Sequence, residues 1–297
     1  MDAALREAER TWRASVDVDD ARTLLVRAAR VGATDLAAEV LEELARKWEV
    51  RQVAPAAELI LSTVERTPPS ERLRSAPLVD RLACSGHAVA VERYREWFPA
   101  LARVVGRTPA MREARKLAAR WAPEPHPILI TGESGVGHLF LARAIHELSG
   151  RPALGRTHAG ATAAGLVELE LQQETPEDGT LYLAYADPDE LPVRALEVCR
   201  ARRARLIVGA CNDADEFAPA LATHVIELPP LRDRFDDLPL LVVELLRRRG
   251  RSETPPETFL AHLRGLGWGG NVRHLDNYLD RLCTLAEDGD LFAPELW

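Results

Sequence analysis

Residues 127–148 place a short apolar run, a glycine-rich loop and a helical stretch in direct succession, and few folds accept that order. Pro127-Ile128-Leu129-Ile130-Thr131 is apolar and β-branched, as suits a buried strand. Gly132-Glu133-Ser134-Gly135-Val136-Gly137-His138-Leu139 follows. Leu139 to Leu148 then reads as a helix, with Ser149-Gly150 as its stop. This is the setting of the phosphate-binding pattern G-x-x-x-x-G-K-[ST]. Its glycines let backbone N–H groups wrap a phosphate, and its lysine reaches the outer oxygens. The glycines stand here, but the lysine position is His138. The chain has only two lysines, Lys47 and Lys116, among 38 basic residues. A drift toward arginine accounts for an arginine at that position, not for a histidine.

Further short apolar runs, Leu181-Tyr182-Leu183 and Leu206-Ile207-Val208, are separated by the helical stretch Leu191–Ala201. Strands alternating with helices imply a parallel α/β sheet. From Asp236 onward the chain reads as helical, broken at Gly265-Leu266-Gly267-Trp268-Gly269-Gly270. Residues 2–104 read as helix after helix. Ala21–Ala29 and Leu36–Leu44 carry apolar residues at three- and four-residue spacing, with Val31-Gly32-Ala33-Thr34-Asp35 as a break between them. That pair resembles one unit of a tetratricopeptide-type hairpin. A plain helical bundle and a partner-binding helical array both fit. Thr67-Pro68-Pro69-Ser70 interrupts the region, with Ser70 placed to cap the next helix.

At 297 residues the chain exceeds the usual single domain. A formal charge of −8 argues against non-specific nucleic-acid binding, which is driven by neutralising phosphates. Cys84, Cys199, Cys211 and Cys283 show no C-x-x-C spacing and read as reduced thiols. The first residues lack a basic segment followed by an apolar run, and no stretch approaches the ~20 apolar residues of a membrane span. The expectation is a cytoplasmic protein with no membrane partner. The basic runs Arg200–Arg205 and Arg247–Arg251 lack interleaved aromatics and read as solvated helix C-termini. His138 and His146 have no third ligand beside them, so no metal site is expected.

Five ordered segments carry a family resemblance: Val105-Gly106-Arg107-Thr108-Pro109-Ala110-Met111; Gly132-Glu133-Ser134-Gly135 with Ala142-Arg143-Ala144-Ile145-His146; Gly179-Thr180-Leu181-Tyr182-Leu183; Leu228-Pro229-Pro230-Leu231-Arg232-Asp233-Arg234; and Trp268 to Asn277. Together they resemble the AAA+ domain of bacterial enhancer-binding proteins, the activators of sigma-54 RNA polymerase. The resemblance implies a P-loop AAA+ core with a parallel sheet and a C-terminal helical lid, preceded here by an all-α region. The expected division is 1–104 for the helical region, 105–234 for the α/β part and 235–297 for the lid.

The departures from that family bear on function. Its GTLFLDE strand puts an aspartate on magnesium and a glutamate on the attacking water; those positions are Ala184 and Tyr185. Neither replacement neutralises developing phosphoryl charge or aims a nucleophile. Asp187 and Asp189 lie just downstream as candidate substitutes for the metal ligand. The family's arginine fingers precede the LPPL turn, and residues 216–227 contain no arginine. The polymerase-contacting GAFTGA motif is absent from the roughly thirty residues between Gly150 and Gly179. The stretch between Leu183 and Asn212 is likewise too short for the family's second insertion. The sequence ends at Trp297 with no DNA-binding helix-turn-helix in view. Asn212 matches the family's sensor I position and Arg273 its sensor II position.

A glycine loop at a helix N-terminus binds anions without a lysine, although losing the charge-assisted contact costs a few kcal/mol. The residues expected to meet nucleotide, if any does, are Gly132, Ser134, Gly135, Val136, Gly137, His138, Leu139, Asn212 and Arg273. The alternative is a loop retained as a folding turn. No cofactor is required on this reading, with ATP or ADP as the candidate ligand. The leading expectation is a non-hydrolysing regulator or scaffold that works through a protein partner, such as another AAA+ protein or a signalling complex. The alternative is an ATP-binding transcriptional regulator whose assembly, not hydrolysis, responds to nucleotide. A third reading keeps ATPase activity through a shifted metal ligand. The sequence leaves the oligomeric state open.

Overall fold

The computed structural model describes residues 3–15, 18–31, 57–68, 72–158, 170–184, 190–211, 214–217, 224–286 and 290–297, with single positions 36, 40, 219 and 221 between them. The chain divides into two units, Met1–Ala102 and Arg103–Trp297.

The described residues of the first unit form helices joined by short turns. Helices α1 (Ala3–Ser15), α2 (Val18–Val31), α3 (Ala57–Arg66), α4 (Ala76–Cys84), α5 (Ala88–Trp97) and the short α6 (Pro99–Ala102) follow one another. Helix α2 shows why. Ala21, Leu24, Leu25 and Ala28 stand at the i, i+3, i+4, i+7 spacing of one helical face, and all four are fully buried. Asp19 and Asp20 occupy its first turn, where they suit the positive end of the helix dipole. Leu5, Ala8 and Trp12 give α1 a matching stripe, and α1 packs along α2. Helix α3 ends at Arg66, before the Thr67-Pro68 interruption. Apart from Leu36 and Val40, the second helix of the expected hairpin, Leu36–Leu44, and the capping Ser70 lie outside the described residues.

The second unit carries a five-stranded sheet in the order β2-β3-β4-β1-β5, parallel throughout. The strands are β1 (Ile128–Thr131), β2 (Leu154–His158), β3 (Thr180–Ala184), β4 (Arg205–Ala210) and β5 (Val225–Glu227). Helices α7 (Pro109–Trp121), α8 (His138–Ser149) and α9 (Glu190–Ala201) accompany them. Every residue of β1, β3 and β4 is buried, the pattern of a parallel sheet covered on both faces. This is why those strands read as continuous apolar runs. Strands β2 and β5 are the edges. Leu154-Gly155-Arg156-Thr157-His158 has no apolar run, and β5 is three residues long, so neither announced itself in the sequence. One layer of core joins Leu129, Leu181, Leu183, Leu206 and Val208 to Ala195, Leu196 and Cys199 of α9.

Helices α10 (Leu238–Arg247), α11 (Glu257–Gly265) and α12 (Asn271–Ala286) form the lid around Leu238, Val242, Phe259, Leu263, Trp268, Leu275 and Leu279. Buried Asp237 fastens the lid to the start of the unit. Its carboxylate accepts from the Arg107 and Thr108 amides at 2.7 and 3.1 Å and from the Thr108 hydroxyl at 2.8 Å. A side chain on Gly106 would meet that carboxylate at 2.7 Å, so the glycine is required where the chain passes Asp237.

Arg200, Arg203 and Arg247 of the two arginine runs are exposed, as expected, and Arg205 departs from that state. Arg205 is buried, with its guanidinium donating to backbone carbonyls of the turn between α7 and β1. The strand, not the preceding helix, claims it. In the second run Arg247 and Arg248 pair with Glu244, Arg249 with Asp276 and Asp280, and Arg251 with Glu253.

Candidate functional site

The glycine-rich loop leaves the C-terminal end of β1 and opens α8, the position where parallel α/β sheets bind ligands. Gly132, Gly135 and Gly137 have φ of +144°, +84° and +123°, a region that side-chain-bearing residues rarely occupy. Gly135 has a second reason to be glycine. A Cβ there would lie 2.2 Å from the Gly270 carbonyl oxygen, because the lid approaches the loop backbone to backbone.

Asn271 makes that approach specific. It is fully buried with φ of +52°, a conformation asparagine tolerates better than most residues. Its Oδ1 accepts from the Leu231 amide at 2.8 Å, and its Nδ2 donates to the Ser134 carbonyl at 3.0 Å and to Glu133 at 3.1 Å. The Arg273 amide donates to the Gly135 carbonyl at 3.2 Å, and its guanidinium reaches the Ser134 hydroxyl at 3.4 Å. Arg232 grips Glu133 through two bonds of 2.9 and 2.6 Å. Arg232 and Asn271 hold the Glu133 carboxyl well below the usual carboxylate range, at about 2. Arg234, buried, donates to the Val136 carbonyl at 2.9 Å. Loop carbonyls are thus engaged from the lid side. Among the described residues no hydrogen bond from the amides of Gly135, Gly137, His138 or Leu139 reaches a protein acceptor.

His138 opens α8 and is only 6% exposed. Burial pushes its imidazole below the ordinary histidine value. The Ala210 and Gly132 backbone carbonyls act against that shift, and the Arg273 charge adds to it. The ring is neutral at pH 7 and does not replace the ammonium of a lysine. Its Nε2 is buried and has no hydrogen-bond partner among the described residues.

A cleft of about 360 Å³ opens over the loop, large enough for a small ligand. Gly135, Val136, Gly137, His138 and Leu139 line one wall, with Tyr182 and Ala184 of β3 behind them. Gly209 makes room for Tyr182, since a Cβ there would sit 2.4 Å from the phenol oxygen. Five arginines also line the cleft: Arg103, Arg156, Arg234, Arg248 and Arg273. Its two lining carboxylates are Glu244 and Asp276, both from the lid and both paired with arginine. Ala184 presents a methyl to the cleft. Of the residues expected to meet nucleotide, Gly135, Val136, Gly137, His138, Leu139 and Arg273 share this cleft, with Gly132 and Ser134 adjoining it in the loop. Asn212, Tyr185, Asp187 and Asp189 lie outside the described residues.

Arg156 and Arg234 escaped the sequence reading. Arg156 rides on an edge strand that has no apolar signature. Arg234 sits inside the Leu228–Arg234 motif, but nothing in the motif says that it reaches back to the loop. A cluster of Glu124, His126 and His224 was also missed, because His224 is far from the other two in the chain.

Comparison with known proteins agrees with this architecture. Residues 104–173 match the family model for the sigma-54 interaction domain, and residues 232–296 match that for the AAA+ ATPase lid domain. The response regulator protein PilR of Pseudomonas aeruginosa is 30% identical over 245 residues, covering 65% of this chain and 55% of that protein. The formate hydrogenlyase transcriptional activator FhlA of Escherichia coli is 30% identical over 248 residues, covering 65% of this chain and 36% of that protein. The DNA-binding transcriptional regulator NtrC of Azospirillum brasilense is 29% identical over 231 residues, covering 61% and 48%. The chain therefore spans between about a third and just over half the length of these relatives. The crystal structure of NtrX from Brucella abortus in complex with ATP shares the fold, with a TM-score of 0.56 at 22% identity, covering 88% of this chain and 75% of that one. Residues 104–173 and 232–296 are thus similar to the sigma-54 interaction domain and the AAA+ lid, in an order shared with sigma-54-activator-type AAA+ proteins.

Proposed function

We propose that this protein is a regulator or scaffold of the sigma-54-activator type that does not hydrolyse ATP and works through contacts with a protein partner. The observation that carries this reading is the pairing of Ala184 with His138 in one cleft. Phosphoryl transfer at such a site rests on charge: a lysine on the outer phosphates, a carboxylate holding magnesium and a residue aiming the water. Here the lysine position is a buried neutral imidazole and the metal-ligand position is a methyl group. The lining carboxylates come from the lid and are occupied by arginine. The fit to nucleotide is divided: the loop geometry and the arginines suit an anion, and the metal half of the site is missing from the described lining. The residues that would hold phosphate are Gly135, Gly137, His138 and Leu139 through their amides, with Arg273 beside them.

The test is turnover of Mg-ATP by the purified chain, alone and mixed with an active relative. The expected result is no turnover by the chain alone and a change in the relative's rate on mixing. Hydrolysis at the rate of the active relative overturns the proposal.

The arginine-lined cleft supports a second reading, in which bound ATP or ADP controls assembly without efficient hydrolysis. It predicts nucleotide-dependent association. An unchanged mass at every ATP concentration, by light scattering, excludes it.

A further inference from the structure

At the other end of the sheet from the phosphate loop, where β1 and β5 begin, we infer that Glu124, His126 and His224 form a binding site for one divalent transition-metal ion of the zinc class. Glu124 Oε2 lies 3.4 Å from His126 Nδ1 and 3.2 Å from His224 Nε2. All three candidate ligand atoms fall within 4.8 Å of one another. Bonds of about 2.0–2.2 Å in a tetrahedral zinc site put neighbouring ligand atoms roughly 3.3–3.5 Å apart. Both Glu–His separations already have about that value. The His–His separation needs to close by at most ~1.5 Å to reach the tetrahedral spacing. The His126 ring, 58% exposed on its turn, lies stacked on the His224 ring at 5.0 Å and 15°, and turns out of that stack to aim Nδ1 at a shared ion.

The site is built on fixed backbone. Glu124 and His126 ride on the turn between α7 and β1, and buried Arg205 holds that turn from beneath. Its guanidinium donates to the carbonyls of Ala122 at 2.9 Å and His126 at 3.1 Å, and also to those of Trp121 and Glu124. His224 immediately precedes β5, and its carbonyl accepts from the Leu129 amide at 2.9 Å. The Trp121 ring stands edge-on to the His224 ring at 4.8 Å. With Nδ1 of His224 enclosed and without a partner among the described residues, Nε2 is the nitrogen turned toward Glu124. Among the described residues the close ion pairs of the Glu124 side chain are with imidazoles, and the buried Arg205 charge stands near it.

Two imidazoles and one carboxylate suit zinc and its neighbours and suit magnesium and calcium poorly. Three protein ligands leave a fourth position to water on the exposed side. An ion held there ties the α7–β1 turn to the edge strand β5, and so braces the sheet remote from the nucleotide cleft.

The experiment is titration of the full chain with zinc by calorimetry, repeated with His126→Asn, Glu124→Gln and Cys211→Ser. The inference expects one zinc per chain, weakened at least thirtyfold by His126→Asn and by Glu124→Gln and unchanged by Cys211→Ser. Because His126 is exposed, its variant keeps the fold, which the melting temperature without metal checks. Zinc is also expected to raise the melting temperature of the wild type and to change tryptophan fluorescence, and magnesium to do neither. No zinc binding by the wild type, or equal binding by His126→Asn, overturns the inference.

Discussion

His138 concentrates the question of what the loop does, because its chemistry depends on burial and not on identity alone. A histidine in solution is partly protonated near neutrality, with an ordinary pKa of about 6.5. Burial lowers that of His138, so the folded chain holds it neutral. The sign for stability follows. Below the ordinary histidine value the unfolded chain takes up a proton that the folded chain resists, and stability falls with pH. His146, lowered mainly by its own partial burial, acts in the same direction. Replacing His138 with Gln is expected to make the loss of stability between about pH 6.5 and pH 5 shallower, as read by denaturant titration at each pH. A slope equal to the wild type's would show that the ring is not the resisting group. The substitution His138→Lys tests the other half of the reading. A charge-assisted contact contributes about 1.5–3 kcal/mol, and about 1.4 kcal/mol is tenfold in affinity. His138→Lys is therefore expected to tighten ATP binding about tenfold or more by calorimetry. Turnover stays absent, because Ala184 still offers no carboxylate to magnesium.

Between elements, a few buried polar side chains do the fastening, and these were the least legible part of the sequence. The central strands were readable because burial on both faces makes Ile128–Ile130 and Leu206–Val208 apolar throughout. The edge strands were not, since one contains Gly155 and Arg156 and the other is three residues long. The glycine loop was legible as a motif, whereas its clasp by Asn271, Arg232 and Arg234 was not. That clasp depends on partners about a hundred residues or more away in the chain. The acid–histidine cluster shows the same limit, with His224 far from Glu124 in sequence and beside it in space. Arg205 looked like one more cation in a basic run, yet its charge is spent on backbone carbonyls, and burial brings its pKa down to about 10, still charged at neutral pH. Removing it leaves those carbonyls without a donor in a dry setting. Arg205→Met is expected to cost about 3 kcal/mol in urea unfolding, the range for charged hydrogen bonds lost from a buried site. Asn271→Ala removes three hydrogen bonds and leaves a side chain strained at positive φ. A loss of about 2–3 kcal/mol is expected there, together with weaker nucleotide binding, since the loop loses its hold from the lid.

At the scale of the whole molecule, the two units divide the problem of function. The second contains its own sheet core, its own lid core, the cleft over the glycine loop and the acid–histidine cluster. Its matched segments, 104–173 and 232–296, begin and end within it. Its lid is bound to its first residues by Asp237 and to its loop by Asn271, so the α/β part and the lid are joined by buried hydrogen bonds. Residues 103–297 are therefore expected to unfold alone in one cooperative transition, with coincident curves by circular dichroism and tryptophan fluorescence. Two separated transitions would mean that the lid folds apart from the sheet. The same fragment separates the sites from the partner. The described residues that line the cleft all lie inside it, and stabilisation by ATP follows RT ln(1 + [L]/Kd). The shift in melting temperature produced by millimolar ATP should match that of the full chain. A modulating effect on an active relative that vanishes in the fragment would then place the partner contact on the helical residues 1–102, and an effect retained in full would place it on the AAA+ part.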